Sequence, residues 1–172
     1  GTIYSRMEKF EEALDVGKKA VACDPDLKEA HYNHAMAELH CGNAQNTISI
    51  LESLLTGFPD YPPAQFILSA AYCCGDQKEK GIDGIRKLKN TPMGAHLHIP
   101  CVELGQSLLA AKKVKYAVWV LGAAIECDMV NKEILDLFNE CIKMNDKAPE
   151  LTEIPLTGIE DRQVAKFQDL PQ

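Results

Sequence analysis

The chain has 172 residues, 46% of them apolar, and a net charge of −7. That length and apolar share fit a folded domain with its own core. The acidic balance argues against nucleic acid and anionic membranes as partners, because phosphates are held by clustered Lys and Arg.

Gly1 to Arg6 reads as the stump of a first helix, and Lys9 to Cys23 as the helix after it. Asp24-Pro25 stops that helix, since proline lacks the N–H and clashes with the preceding turn. Asp26 is placed to cap the next helix, Asp26 to His40, which ends at Gly42, a residue that accepts a left-handed backbone. Ala44 to Thr56 follows and ends at Gly57-Phe58-Pro59. Pro63 to Cys74 starts on a proline, as first turns allow. Lys78 to Lys89 is weakened by Gly81 and Gly84. Pro100 to Ala111 and Lys115 to Cys127 form the next pair. The longest apolar run, Tyr116 to Ile125, is half of the ~20 residues that a membrane span needs. Lys132 to Met144 carries Ile134, Leu135, Phe138 and Ile142 at helical spacing and is expected to cap the last apolar face. Asn145 to Gln172 breaks the pattern. Pro149 and Pro155 keep its first half extended, and Thr157-Gly158-Ile159-Glu160 has the form of a capping box before a short helix, Gly158 to Asp169.

A fixed period runs through these elements. Ala13, Thr47 and Gly81 are 34 residues apart, and Ala117 follows after 36. Ala20, Leu54, Leu88 and Ala124 keep the same steps, as do Pro25, Pro59, Met93 and Met129. In the partner helices Gly1, Ala35, Ser69 and Gly105 repeat likewise, with Tyr4, Glu38, Tyr72 and Leu108 three residues later. The two extra residues fall in the loop Thr91 to Leu97. This pattern resembles the tetratricopeptide repeat, a helix–turn–helix unit of 34 residues. Departures are His31, Gln65 and Cys101 at the signature aromatic position, Met93 in place of proline, and Trp119 in a second helix.

The resemblance implies an all-α fold, a right-handed superhelical stack of hairpins. Its units are a partial repeat at 1–27, repeats at 28–61, 62–97 and 98–131, a capping helix at 132–144, and a docked tail at 147–172. Because Gly1 falls inside a repeat and no initiator Met precedes it, the chain is expected to be a fragment of a longer protein.

The same resemblance implies a non-catalytic scaffold whose first helices line a concave groove for a peptide or a partner's helix. By register that wall holds Tyr32, Asn33, Met36, Leu39 and His40, then Phe66, Ile67, Ala70, Cys73 and Cys74, then Ile99, Val102, Glu103, Gln106, Leu109 and Ala110. It is largely apolar, and exposed apolar patches mark interaction sites. On an open wall Phe66 would tolerate a charge without unfolding. The tail, in its own chain or a neighbour's, is a second expected occupant. The carboxylate clamp of one family subgroup is not expected: Asn33 matches it, but Thr2, Pro63 and Ile67 stand where Asn, Lys and Arg belong. An alternative is that the chain is the regulatory or substrate-presenting arm of a larger enzyme, such as a transferase.

Site chemistry elsewhere is sparse. The seven cysteines show no CxxC spacing and read as small buried side chains of a reducing, cytoplasmic compartment. His31 and His34 read as packed side chains, and His96, His98 and Cys101 make only part of a zinc site. No Ser/His/Asp set, carboxylate pair or phosphate-binding glycine loop is evident, so neither cofactor nor metal is expected. Lys78 to Lys89 and Lys112, Lys113 and Lys115 read as solvated faces.

Overall fold

The computed structural model describes residues 2–146, and the side chains of residues 9–144. Within them the chain is all-α: α1 Thr2–Cys23, α2 Lys28–His40, α3 Ala44–Gly57, α4 Pro62–Cys74, α5 Lys78–Lys89, α6 His98–Ala110, α7 Val114–Glu126 and α8 Lys132–Asp146, with a 3-10 helix at Pro92–His96. The expected tail lies outside the described residues. Successive helices α1 to α5 pack side by side, and α6, α7 and α8 form a second group.

Two local expectations are corrected. The break between a stump and a second helix is absent, since α1 is one helix of 22 residues. The stretch Ser5 to Ala13 has no Gly or Pro and is rich in Met, Glu and Lys, all good helix formers, so nothing ends the helix there. Asp26 does not cap α2, because Leu27 occupies that position without a side-chain cap. Instead the Asp26 N–H donates to Asp24 Oδ1 at 3.2 Å, closing an Asx turn. At α8 the cap is Asn131, whose Oδ1 accepts from the Ile134 N–H at 2.9 Å.

The 34-residue register recurs as physical contacts. His31 Nε2 lies 2.7 Å from the Pro25 carbonyl, and at the equivalent places Gln65 Nε2 donates to the Pro59 carbonyl at 2.6 Å. A polar side chain thus ties α2 and α4 each to the turn before it, where the family pattern has an aromatic. Thr47 Oγ1 donates to the Ala35 carbonyl at 3.1 Å, so α2 and α3 meet closely. In the next pair Gly81 takes the Thr47 position and approaches the Ser69 carbonyl. The turns also match: Gly42 and Lys112 both adopt positive φ, at 89° and 60°. Lysine tolerates that conformation poorly, and here the Lys112 and Lys113 N–H groups donate to the Leu109 and Leu108 carbonyls at 2.9 and 2.8 Å, which closes the end of α6.

The repetition changes at the 3-10 helix. Between the α4–α5 pair and the α6–α7 pair, contact is made chiefly by α7 rather than α6. The reason is compositional. Ala117, Val118 and the whole run Val120 to Ile125 are buried, so α7 is apolar nearly all round. Such a helix must be surrounded. It packs against α4, α5, α6 and α8 and forms the centre of the second half. The Cys127 carbonyl accepts from Lys89 Nζ at 2.7 Å, and Glu126 pairs with Lys78 at 2.9 Å. Ala124 is fully buried, whereas Ala20, at the equivalent register position, is half-exposed.

Candidate interaction groove

The expected apolar wall is mostly interior. Leu39 and Ala70 are fully buried, and Phe66, Ile67 and Cys73 are 2–3% exposed. All five belong to one continuous core, with α7 packed against α4. Buried in that core they are not accessible to a partner, so an open groove along α4 is not present. After α5 the packing changes, and α7 rather than α6 lies against α4. Val102 is 8% exposed, Tyr32, Met36 and Leu109 are half-buried, and Asn33 and Gln106 are exposed.

The N-terminal half of α2 carries a small aromatic group. Tyr32 meets Tyr61 with ring centroids 5.8 Å apart, and Lys28 Nζ lies 5.1 Å from the Tyr61 centroid. Burial, then the neighbouring Tyr61 and Glu103, raise the Tyr32 hydroxyl above its ordinary value. Further along, His40 Nδ1 donates to the Met36 carbonyl at 2.8 Å, and Nε2 lies 2.8 Å from Ser107 Oγ on α6. The carbonyl can only accept, which fixes the proton on Nδ1 of the neutral ring. Phe10 stacks on His40 at 4.9 Å. Burial lowers the His40 pKa, and the Met36 hydrogen bond opposes this.

A groove of about 530 Å³ opens between α6 and α8. From α6 it is lined by Ile99, Val102, Glu103 and Gln106, and from α8 by Glu133, Asp136, Leu137 and Glu140. Each set has the spacing i, i+3, i+4, i+7, so each is one helix face. The floor is apolar: Val102 and Leu137 are 8% and 9% exposed, and Ile99 stands at 47% on the rim. Close approach of the three helices is set by Gly105, where a Cβ would lie 3.1 Å from both Leu121 and Leu137 side chains. Ile99, Val102, Glu103 and Gln106, the whole α6 side, were legible in the sequence as groove residues. The α8 face was not, although Glu133, Asp136 and Glu140 recur at helical spacing, because that helix reads there only as a cap.

The cysteines are free thiols, five of them buried, with Cys41 half-buried and Cys23 exposed. Burial pushes Cys73, Cys101 and Cys141 up to about 12 and raises Cys74 well above its ordinary value. Such thiols are poor nucleophiles and poor ligands. Among the described residues no three His, Cys, Asp or Glu side chains converge to hold a metal ion. In a thiol titration of native protein, Cys23 is expected to react at once and Cys41 slowly. The five buried thiols should react only on addition of denaturant. Fast reaction of three or more thiols would contradict this burial.

No helix among the described residues is long and apolar enough to cross a membrane. Comparison with protein-family models, curated proteins and solved structures finds no match to this chain, so its fold and groove are the basis of a functional reading.

Proposed function

We propose that the chain is a tetratricopeptide-type interaction module: a non-catalytic scaffold of stacked hairpins that holds a peptide or partner helix. The 34-residue register and its recurring ties, His31 to Pro25 and Gln65 to Pro59, support the repeat type. The observation that carries the function is the groove between α6 and α8, two matched helix faces around an apolar floor. Amphipathic helices laid into such grooves are a general recognition mode. Of the residues first assigned to the wall by register, Ile99, Val102, Glu103 and Gln106 line this groove.

Selection from a random-peptide library tests the reading. Selected peptides are expected to bind the wild-type chain and to lose about tenfold or more in affinity against Ile99→Ser, in the range of one truncated interface anchor. Ile99 is exposed, so its replacement should leave helicity and the denaturant midpoint near wild type. If every selected peptide ignores Ile99 and Gln106, this groove is not the binding surface.

A further inference from the structure

We propose that the groove between α6 and α8 accepts a cationic amphipathic helix, with apolar side chains on its inner stripe and Lys or Arg on both flanks. This rests on the reading of the chain as an interaction module and names the class of partner.

Four of the eight lining residues are carboxylates: Glu103 on α6, and Glu133, Asp136 and Glu140 on α8. No lining residue is basic. Among the described residues none of the four is within ion-pair distance of a Lys, Arg or His. Lys132 and Lys143, the cations of α8, stand at its ends outside the lining. Glu133 and Asp136 are spaced i, i+3, and Asp136 and Glu140 i, i+4. Like charges at those spacings oppose the isolated helix. A cationic partner would remove that repulsion while its apolar stripe covers Val102, Leu137 and Ile99. Each lining face spans seven residue steps, about 10 Å of helix, so about two turns of a partner would fill it.

The sign of charge also separates the possible occupants. The segment 147–172 holds Lys147, Arg162 and Lys166 against five carboxylates, so it carries net negative charge. A second copy of the chain brings −7. Both are repelled where a basic segment is drawn in.

The test uses three fluorescent helical peptides on the full chain. All carry one leucine stripe at i, i+3, i+4, i+7, and their flanks are Lys, Gln or Glu. Fluorescence anisotropy is expected to rank Lys over Gln over Glu by about tenfold or more per step. The Lys peptide should weaken steeply with added salt, as exposed charges are screened. Asp136→Lys with Glu140→Lys should weaken the Lys peptide about tenfold or more and strengthen the Glu peptide. Glu12→Lys with Asp15→Lys, the same charge change on exposed α1 positions, should do much less.

Equal binding of the Lys and Gln peptides, still lost in Ile99→Ser, would overturn the cationic partner and leave the interaction module standing. Equal loss from the α1 pair and the α8 pair would show attraction to the whole chain, which also overturns it. Failure of the Lys peptide to bind overturns the proposal as well. Circular dichroism of each double variant, expected to match wild type, excludes unfolding as the cause.

Discussion

Phe66→Asp is expected to abolish the cooperative fold. Phe66 is 2% exposed and belongs to the continuous core, with α4 packed between α3, α5 and α7. Loss of the ring alone costs about 3–5 kcal/mol. An unpaired carboxylate in that apolar core adds several kcal/mol, or the group must bind a proton at further cost. A domain of this size has only about 5–15 kcal/mol in total. Thermal melts followed by circular dichroism should therefore show no sharp transition for Phe66→Asp. Phe66→Leu, which keeps most of the volume, should retain one. A cooperative Phe66→Asp with a wild-type midpoint would put Phe66 on an open wall, as the repeat register alone suggests.

Gly81→Ala is expected to destabilise by about 1–2 kcal/mol, opposite in sign to the usual helix effect. Alanine normally stabilises a helix interior over glycine by about 1 kcal/mol. Here an added Cβ would meet Cys73 Sγ, the Ser69 carbonyl oxygen at 2.5 Å and the Cys73 backbone nitrogen at 2.8 Å. Two of these are main-chain atoms of α4 and cannot rotate away, so the hairpin must open. Overpacking of this kind costs about 1–3 kcal/mol, more than the propensity gain. Gly84→Ala meets mainly the Ser69 side chain and should lose less. Gly57 has open space around its Cβ position, so Gly57→Ala should be neutral or stabilising. Urea midpoints of the three variants give the order. A Gly81→Ala midpoint as high as that of Gly57→Ala would reject the close approach of α4 and α5.

These two residues also show what the sequence could disclose. Helix positions were legible because Pro25, Gly42, Pro59 and the alternating apolar faces punctuate the chain in local ways. Gly81 was visible as a helix breaker, but its value as a contact with Ser69 depends on a neighbour twelve positions away. Phe66 was visible as apolar, but whether an apolar face is open or covered depends on what packs over it. The signal for that cover was present: Tyr116 to Ile125 is apolar on every side, and a helix of that kind takes a central place in a soluble fold. Weighed only as a membrane span, it gave no warning that α7 would close the face of α4. The α6–α8 groove was half legible for the same reason. Ile99, Val102, Glu103 and Gln106 followed from the repeat register, while Glu133, Asp136 and Glu140 lie on a helix whose outer face has no counterpart in that register.

The two bridges from the middle of the chain back to α2 change how the protein is expected to fold. Tyr116 donates its hydroxyl to the Gly42 carbonyl across 74 residues, and His40 reaches Ser107 across 67. A linear array makes only neighbour contacts and can assemble or fray one unit at a time. Here the turn after α2 has to wait for α6 and α7 before its polar groups are satisfied. Long-range closures of this kind raise contact order and slow the search. They also couple the early hairpin to the late one, so the chain should gain and lose its structure as a single unit instead of unzipping from an end.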